Sequence, residues 1–298
     1  MLGYPKNLYI LPFDHRSSFI KTFIGAVKKL DNQQKKLISD YKKIIFEGFL
    51  MSLGYVKNPV ESAIIVDEDF GLEIIKLAKK KNIIVCLPVE KSGQNNFAFQ
   101  YGRDFSQHIQ ALKPDIVKAL VRYNPADKKI NHGQLEKIKE LDSWCKDNGY
   151  KFMVESLVLP TPGQLKRARG KQEVYDEKIR PALTLRMINE FYQAGIEPDI
   201  WKIEAFEARR DWEEIIEIAR NKERRKDVAI ILLGRGESFA KVKQWMSLAP
   251  RHQLNGFAVG RTIFLRPLID FHQKRISKKE CVTEIAKNYL ELVKYWER

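Results

Sequence analysis

A closed barrel of eight parallel β-strands, each followed by helix, is the fold the sequence predicts, and three observations predict it. Eight short apolar runs alternate with helical stretches, the pattern of a parallel sheet covered on both faces. Nearly every run ends in charged or polar residues, which is where such a barrel gathers its chemistry. The 298 residues hold one (β/α)8 (TIM) barrel of about 250 residues with some left over.

The first run, Asn7–Phe13, ends at Asp14-His15-Arg16 and is followed by helical stretches over Phe19–Leu30 and Asn32–Leu53. Ser62–Val66 is the second strand, ending in Asp67-Glu68-Asp69, and the helix Phe70–Lys81 leads to the third, Ile83–Pro88. A polar loop, Glu90–Asn96, and the helical Arg103–Leu112 precede the fourth strand, Asp115–Val121. A helix over Gln134–Asn148 brings the fifth, Lys151–Glu155; the loop at Pro160–Gly163 and the basic Lys166–Lys171 then lead to a helix near Ala182–Gly195. Asp199–Phe206 is the sixth strand, with helix Trp212–Arg220 after it. Val228–Leu233 is the seventh, ending in Gly234-Arg235-Gly236-Glu237, and helix Phe239–Leu248 follows. Gly256–Val259 is the eighth, ending in Gly260-Arg261, and a terminal helix covers Lys278–Trp296. No linker, repeat or low-complexity segment interrupts the series, so one domain over 1–298 is expected. An open doubly wound sheet is the alternative, but the early strands lack the glycine-rich dinucleotide fingerprint.

Composition narrows the function classes. Hydrophobic residues at 44% and charged residues at 31% describe an ordinary globular chain. No apolar run reaches about 18 residues, so no membrane-spanning helix is expected. The N-terminus lacks the layout of a signal peptide, and Cys86, Cys145 and Cys281 are scattered, which fits a reducing cytoplasm. The net charge of +15 raises nucleic acid as a partner, but the excess is spread along helices, as in Lys79-Lys80-Lys81, without interleaved aromatics. A solvated basic surface that draws anionic metabolites is the expectation.

The sixth strand carries the sharpest signal. Alternation sends Trp201 and Ile203 to one face and Lys202 and Glu204 to the other. Charged groups in an apolar strand are costly unless paired or lining a cavity. A buried lysine can yield a nucleophilic neutral amine, and Lys118 on strand four is a second cation within reach that helps keep it neutral. Glu155 ends strand five on the face of Met153, beside Lys202. Strands seven and eight carry Gly234-Arg235-Gly236 and Gly260-Arg261, where barrels of this kind commonly hold phosphate. Glycine lets backbone N–H groups approach an anion, and arginine pairs with it bidentately.

With those residues placed, the sequence resembles the class I (Schiff-base) aldolases of the tagatose-bisphosphate aldolase type. More closely, it resembles the aldolase-like domain fused to bacterial 5-dehydro-2-deoxygluconokinases of inositol catabolism. The resemblance runs over almost the whole chain. It rests on Phe13-Asp14-His15-Arg16, Val89-Glu90-Lys91-Ser92-Gly93, Val117-Lys118, Arg122-Tyr123, Met153-Val154-Glu155, Trp201-Lys202-Ile203-Glu204, Gly234-Arg235-Gly236 and Val259-Gly260-Arg261. It implies Lys202 as the imine-forming lysine, Glu155 as the acid/base and Lys118 as the assisting cation. Asp14 and Lys91 are implied as substrate contacts, and Arg16 and Glu204 join them. No metal or other cofactor is implied.

The expected partner is a phosphorylated small molecule, while a homo-oligomer stays open. The expected reaction is cleavage of 2-deoxy-5-keto-gluconate 6-phosphate to dihydroxyacetone phosphate and malonate semialdehyde, with tagatose or fructose 1,6-bisphosphate second. Two rivals stay open: a metal-dependent barrel lyase or isomerase using Asp67, Asp69 and Glu90, and a barrel that binds a metabolite or nucleic acid without turnover. The five histidines (His15, His108, His132, His252, His272) show no HxxxH or HxH spacing, which counts against the metal reading.

Overall fold

In the computed structural model, which describes all of residues 1–298, the strands close into one eight-stranded parallel barrel in sequence order. They are β1 (Leu8–Pro12), β2 (Ser62–Ile65), β3 (Ile84–Pro88), β4 (Ile116–Arg122), β5 (Lys151–Leu157), β6 (Ile200–Glu204), β7 (Ala229–Leu233) and β8 (Gly256–Ala258). Every strand falls on one of the eight apolar runs. Helices α1 (Ser17–Phe23) and α2 (Asn32–Leu53) follow β1, and α3 (Glu68–Lys80), α4 (Phe105–Leu112) and α5 (Lys128–Asp147) follow the next three strands. Three helices, α6 (Pro162–Arg167), α7 (Gln172–Lys178) and α8 (Arg180–Gln193), follow β5. The circuit ends with α9 (Arg209–Ala219), α10 (Phe239–Leu248), α11 (Arg261–His272) and α12 (Lys278–Trp296).

Strand alternation divides the apolar residues into two cores. Leu8, Ile10, Ala63, Ile65, Cys86, Ile116, Met153, Ile200, Ala229, Ile231 and Ala258 fill the barrel interior. The residues between them, Trp201 and Ile203 included, join a larger core between strands and helices. Because side chains alternate, the residue two beyond each interior one also points inward. That parity carries Lys118 above Ile116, Glu155 above Met153 and Lys202 above Ile200, at the C-terminal mouth.

Three helical expectations are corrected. The stretch Phe19–Leu30 is helical only to Phe23, because the chain turns at Gly25, whose φ is +96°. The segment after β5 forms α6, where Thr161 and Gln164 build a reciprocal cap and Pro162 sits in the first turn, and then α7. The third is α11, which contains Pro267 and was not expected. A proline inside a helix leaves the carbonyl four residues back without its donor. Here that carbonyl, Ile263 O, accepts from Asn288 Nδ2 of α12 at 2.8 Å, so α11 continues past the proline.

The seam between β8 and β1 depends on glycine. Gly256 has φ +130°, and a Cβ there would lie 2.1 Å from the Leu8 carbonyl oxygen. Gly256→Ala should therefore combine backbone strain with overpacking and destabilise the fold by about 2–5 kcal/mol, read as a lower urea midpoint with unchanged slope.

Candidate active site

The parallel register sets the geometry of the mouth. Glu155 lies directly across from Lys202 on β6, while Lys118 pairs with Met153, one inward step below Glu155. One carboxylate therefore reaches both lysines. Lys118 Nζ lies 2.7 Å from Glu155 Oε2, and Lys202 Nζ lies 2.9 Å from Glu155 Oε1. The same parity carries Asp14, two residues past Pro12, and Glu90, two past Pro88, over the same spot. Lys118 Nζ donates to Asp14 Oδ2 and to Glu90 Oε1, each at 2.9 Å. Lys118 and Lys202 are only 1% and 2% exposed, so these contacts take the place of water.

Three carboxylates thus converge on the Lys118 ammonium. Burial alone would lower the Lys118 value, but Asp14, Glu155 and Glu90 outweigh it and hold the ammonium charged well above its ordinary range. Burial works to raise Glu155, yet Lys118 and Lys202 together hold it below the usual glutamate value. Asp14 is likewise held down, chiefly by Lys118 against its own burial. Glu90 goes the other way, burial pushing it up in spite of Lys118. Sequence patterning placed Lys118 beside Lys202 as a bare cation; the structure sets Glu155 between them. It also sets Glu90, read in the sequence as a ligand of the metal-dependent rival, on the same lysine.

Above this cluster a cavity of about 540 Å³ opens, lined by Asp14, Arg16, Lys91, Lys118, Glu155, Lys202, Glu204, Arg235, Gly236, Gly260 and Arg261 among others. Only Gly234 of the expected residues is absent from the wall. A Cβ there would meet Val259 Cγ2 at 2.8 Å, so its small size serves strand packing. Lys91 is exposed at the rim. Arg16 lines the cavity, but its guanidinium donates to the Glu90 carbonyl oxygen and to Asp69, bracing the β3–α4 loop. A larger cleft of about 780 Å³ lies elsewhere, among Tyr9, Glu61, Arg251 and Trp296, and gathers none of these groups.

The glycine–arginine side is more committed than its sequence suggests. Arg235, itself at φ +52°, donates to Asp176 Oδ2 of α7 at 2.7 Å and lies 3.4 Å from Glu204 Oε1. Glu204 also accepts from the Val158 backbone N–H at 2.8 Å. Both residues, expected on substrate or phosphate, are thus tied into a wall of the cavity. Asp176 escaped notice because α7 lies in the long segment after β5. Arg261 is freer: Nη2 donates to the Arg235 carbonyl oxygen at 2.6 Å, and no carboxylate pairs with it. Glycine is required on both sides of it. A Cβ on Gly236 would lie 2.7 Å from Arg261 Nε, and one on Gly260 would lie 2.2 Å from the Pro12 carbonyl oxygen. His15 lines the same cavity with Nδ1 sealed from solvent and unpartnered. Burial, aided by Arg261 and opposed by Asp14, pushes the imidazole down to about 4.

Fold and site together define a (β/α)8 barrel with a buried lysine–glutamate–lysine cluster at the C-terminal mouth. The chain belongs to the family described as "Uncharacterized protein conserved in bacteria (DUF2090)", matched over residues 3–298. No curated protein matches it in sequence. Among solved structures it is similar to fructose-bisphosphate aldolase from Plasmodium falciparum, in complex with TRAP and a small-molecule inhibitor. That match has a TM-score of 0.66 and 13% identity and covers 96% of this chain and 89% of that one. Cgl0159 from Corynebacterium glutamicum matches with a TM-score of 0.57 and 15% identity, over 96% and 86% of the two chains. The YdjI aldolase from Escherichia coli K12 matches with a TM-score of 0.48 and 13% identity, over 85% and 87%. At these identities the likeness is one of fold.

The cluster makes a stability prediction with a definite sign. Asp14 and Glu155, held low, contribute stability above about pH 4 that is lost as pH falls through their folded values. Lys118, held high, contributes stability below about pH 10 that is lost as pH rises through its folded value. Lys118→Met leaves three buried carboxylates without their shared cation and should cost about 3–5 kcal/mol at pH 8. Their folded values then rise, the native state binds the extra protons, and the variant should regain stability toward pH 5. Urea denaturation at both pH values reads the effect; a loss that stays the same at pH 5 would mean the carboxylates do not depend on Lys118.

Proposed function

We propose that the protein is an aldolase that cleaves a phosphorylated keto-sugar or keto-sugar acid through an imine on Lys202. The observation that carries this reading is the Glu155 carboxylate shared between Lys202 and Lys118. Likeness in fold to fructose-bisphosphate aldolase over nearly the whole chain supports it.

The chemistry follows from the contacts. Glu155, 2.9 Å from Lys202 Nζ, takes a proton from Lys202 and so frees the amine to attack the substrate carbonyl. A second proton then passes from nitrogen to oxygen within the adduct to give the carbinolamine. The proton held by Glu155 is returned to the carbinolamine hydroxyl, which leaves as water, and the protonated imine remains. The protonated imine draws the electron pair of the bond between its α and β carbons, while the hydroxyl on the β carbon loses its proton to Glu155 and that carbon departs as an aldehyde. The enamine then takes up a proton, and water hydrolyses the imine to free Lys202 and the ketone product. Lys118 stays charged throughout, holding Glu155 and Asp14 in place and balancing the charge that moves through the carboxylate. Arg261, with the backbone of Gly236 and Gly260, receives the phosphate, a remote handle whose binding energy orients the carbonyl. Arg235 acts behind it from its pairs with Asp176 and Glu204.

The leading substrate is 2-deoxy-5-keto-gluconate 6-phosphate, giving dihydroxyacetone phosphate and malonate semialdehyde, on the resemblance in motifs. Fructose or tagatose 1,6-bisphosphate is the second reading, favoured by the fold likeness to fructose-bisphosphate aldolase.

Borohydride added during turnover of either substrate should inactivate the enzyme and leave a reduced adduct on Lys202, mapped by peptide mass. Chelators should leave the rate unchanged. An adduct on Lys118, or none with either substrate, would sink the imine mechanism.

Two variants should separate proton transfer from binding. Glu155→Gln keeps the size of the side chain and should lower kcat by about 10²–10⁴-fold, with KM nearly unchanged. Arg261→Ala should mainly raise KM for phosphorylated substrates, a loss of about 2–5 kcal/mol. If Glu155→Gln keeps kcat within a few-fold of wild type, Glu155 only neutralises the lysines.

A further inference from the structure

His15 plays no part in the chemistry above, yet it stands where two lines of contact meet. It follows Asp14 at the end of β1 and lines the cavity. Its ring packs edge-on against Phe264, with centroids 6.2 Å apart. Phe264 lies in the first turn of α11, three residues after Arg261, so the imidazole rests against the helix whose N-terminus carries the glycine–arginine pair. The seam holds it there, since β1 and the turn into α11 are in contact through Pro12 and Gly260.

A histidine at a strand end ordinarily takes its orientation from a neighbouring carboxylate or carbonyl. This one does not. Asp14 turns its carboxylate to Lys118, and Nδ1 of the imidazole has neither solvent nor partner. The charged groups whose fields reach the ring are Asp14 after β1, Arg261 on α11, Glu155 on β5 and Lys202 on β6. Both carboxylates are engaged by lysines, so the free protein gives the imidazole little reason to hold a proton. A dianion beside Arg261 would cancel that cation's repulsion and add negative charge to the cavity that the ring lines.

We propose that His15 is the proton-accepting member of the anion site: neutral in the free protein, it takes up one proton when a phosphate dianion docks beside Arg261. The proposal rests on the anion site assigned under the proposed function. It makes His15 a positioning residue that turns from a neutral ring into a second cation only when the handle is in place. Phosphate-bearing ligands then bind with proton uptake and bind more tightly at lower pH. Linkage fixes the direction: affinity rises as pH falls through the value His15 takes in the complex and levels off below the value it has in the free protein.

Sulfate is the probe, because it stays a dianion across the whole range and adds no titration of its own. Its dissociation constant is measured by calorimetry between pH 5 and pH 8 on wild type and His15→Gln. The state of the ring is followed on wild type through the imidazole ¹⁵N shifts, with His15 assigned by the variant. Wild type should tighten toward about tenfold per pH unit at the steepest part of the curve, and the His15 ring should become protonated on adding sulfate at constant pH. His15→Gln should bind sulfate with an affinity that no longer follows pH in this way. Sulfate binding that is equally strong at pH 5 and pH 8 overturns the proposal while leaving the anion site standing. So does a ring that stays neutral in the complex. If sulfate and inorganic phosphate both fail to bind at any pH, the anion site itself falls, and the role of His15 with it.

Discussion

One carboxylate between two ammonium groups is the constraint on which the mouth of this barrel depends. Glu155 reaches Lys202 because β5 and β6 are in register at those residues, and Lys118 because β4 pairs one inward step below. The interior beneath is apolar, so no water can solvate these charges from below. Each must find its counterion at the same level. Asp14 and Glu90 complete the set around Lys118, and each comes from a different strand end. A shift of one residue in any strand would turn its charged group into the outer core, where it would have no partner. The cluster therefore fixes the register of the barrel as firmly as the barrel fixes the cluster.

The glycine–arginine side follows another logic. Its backbone is shaped by glycines whose missing side chains leave room for Arg261 and for the Pro12 carbonyl. Its charge is divided unevenly. Arg235 is neutralised within a wall that includes Glu204 and Asp176, whereas Arg261 is held only through a carbonyl oxygen. Two arginines that look equivalent in a motif thus differ in what they have left to offer a ligand. The more committed one stiffens the turn, and the less committed one lines the cavity.

The barrel and most of its mouth were legible in the sequence because both follow from short-range rules. Apolar runs marked all eight strands, alternation aimed Lys202 and Glu155 inward, and Lys118 stood out as a lysine inside an apolar strand. What stayed hidden depends on contacts between distant segments. That Arg235 is already paired could not be read without Asp176, which sits in a helix the sequence did not announce. Pro267 masked α11, because the donor that repairs the broken turn, Asn288, lies on the next helix. Glu90 stood in plain view at the end of its strand, but its role depends on Lys118 lying beneath it, and that is a matter of pairing between strands.

The seam between the first and last strands has a consequence for how the protein comes into being. Gly260 packs against Pro12, and Arg261 comes to line one cavity with His15, only when β8 closes on β1. A ribosome releases β1 early and β8 late, so a growing chain carries the two halves of this corner far apart for most of its synthesis. Contacts between such distant segments form slowly, since the whole intervening loop must be closed first. Partly made chains would carry Lys118, Glu155 and Lys202 on strands already able to pair, but would lack the corner proposed to receive a phosphate. Ligand binding at that corner would then favour finished molecules over fragments, and a metabolite held there would act as the clasp of the closed ring.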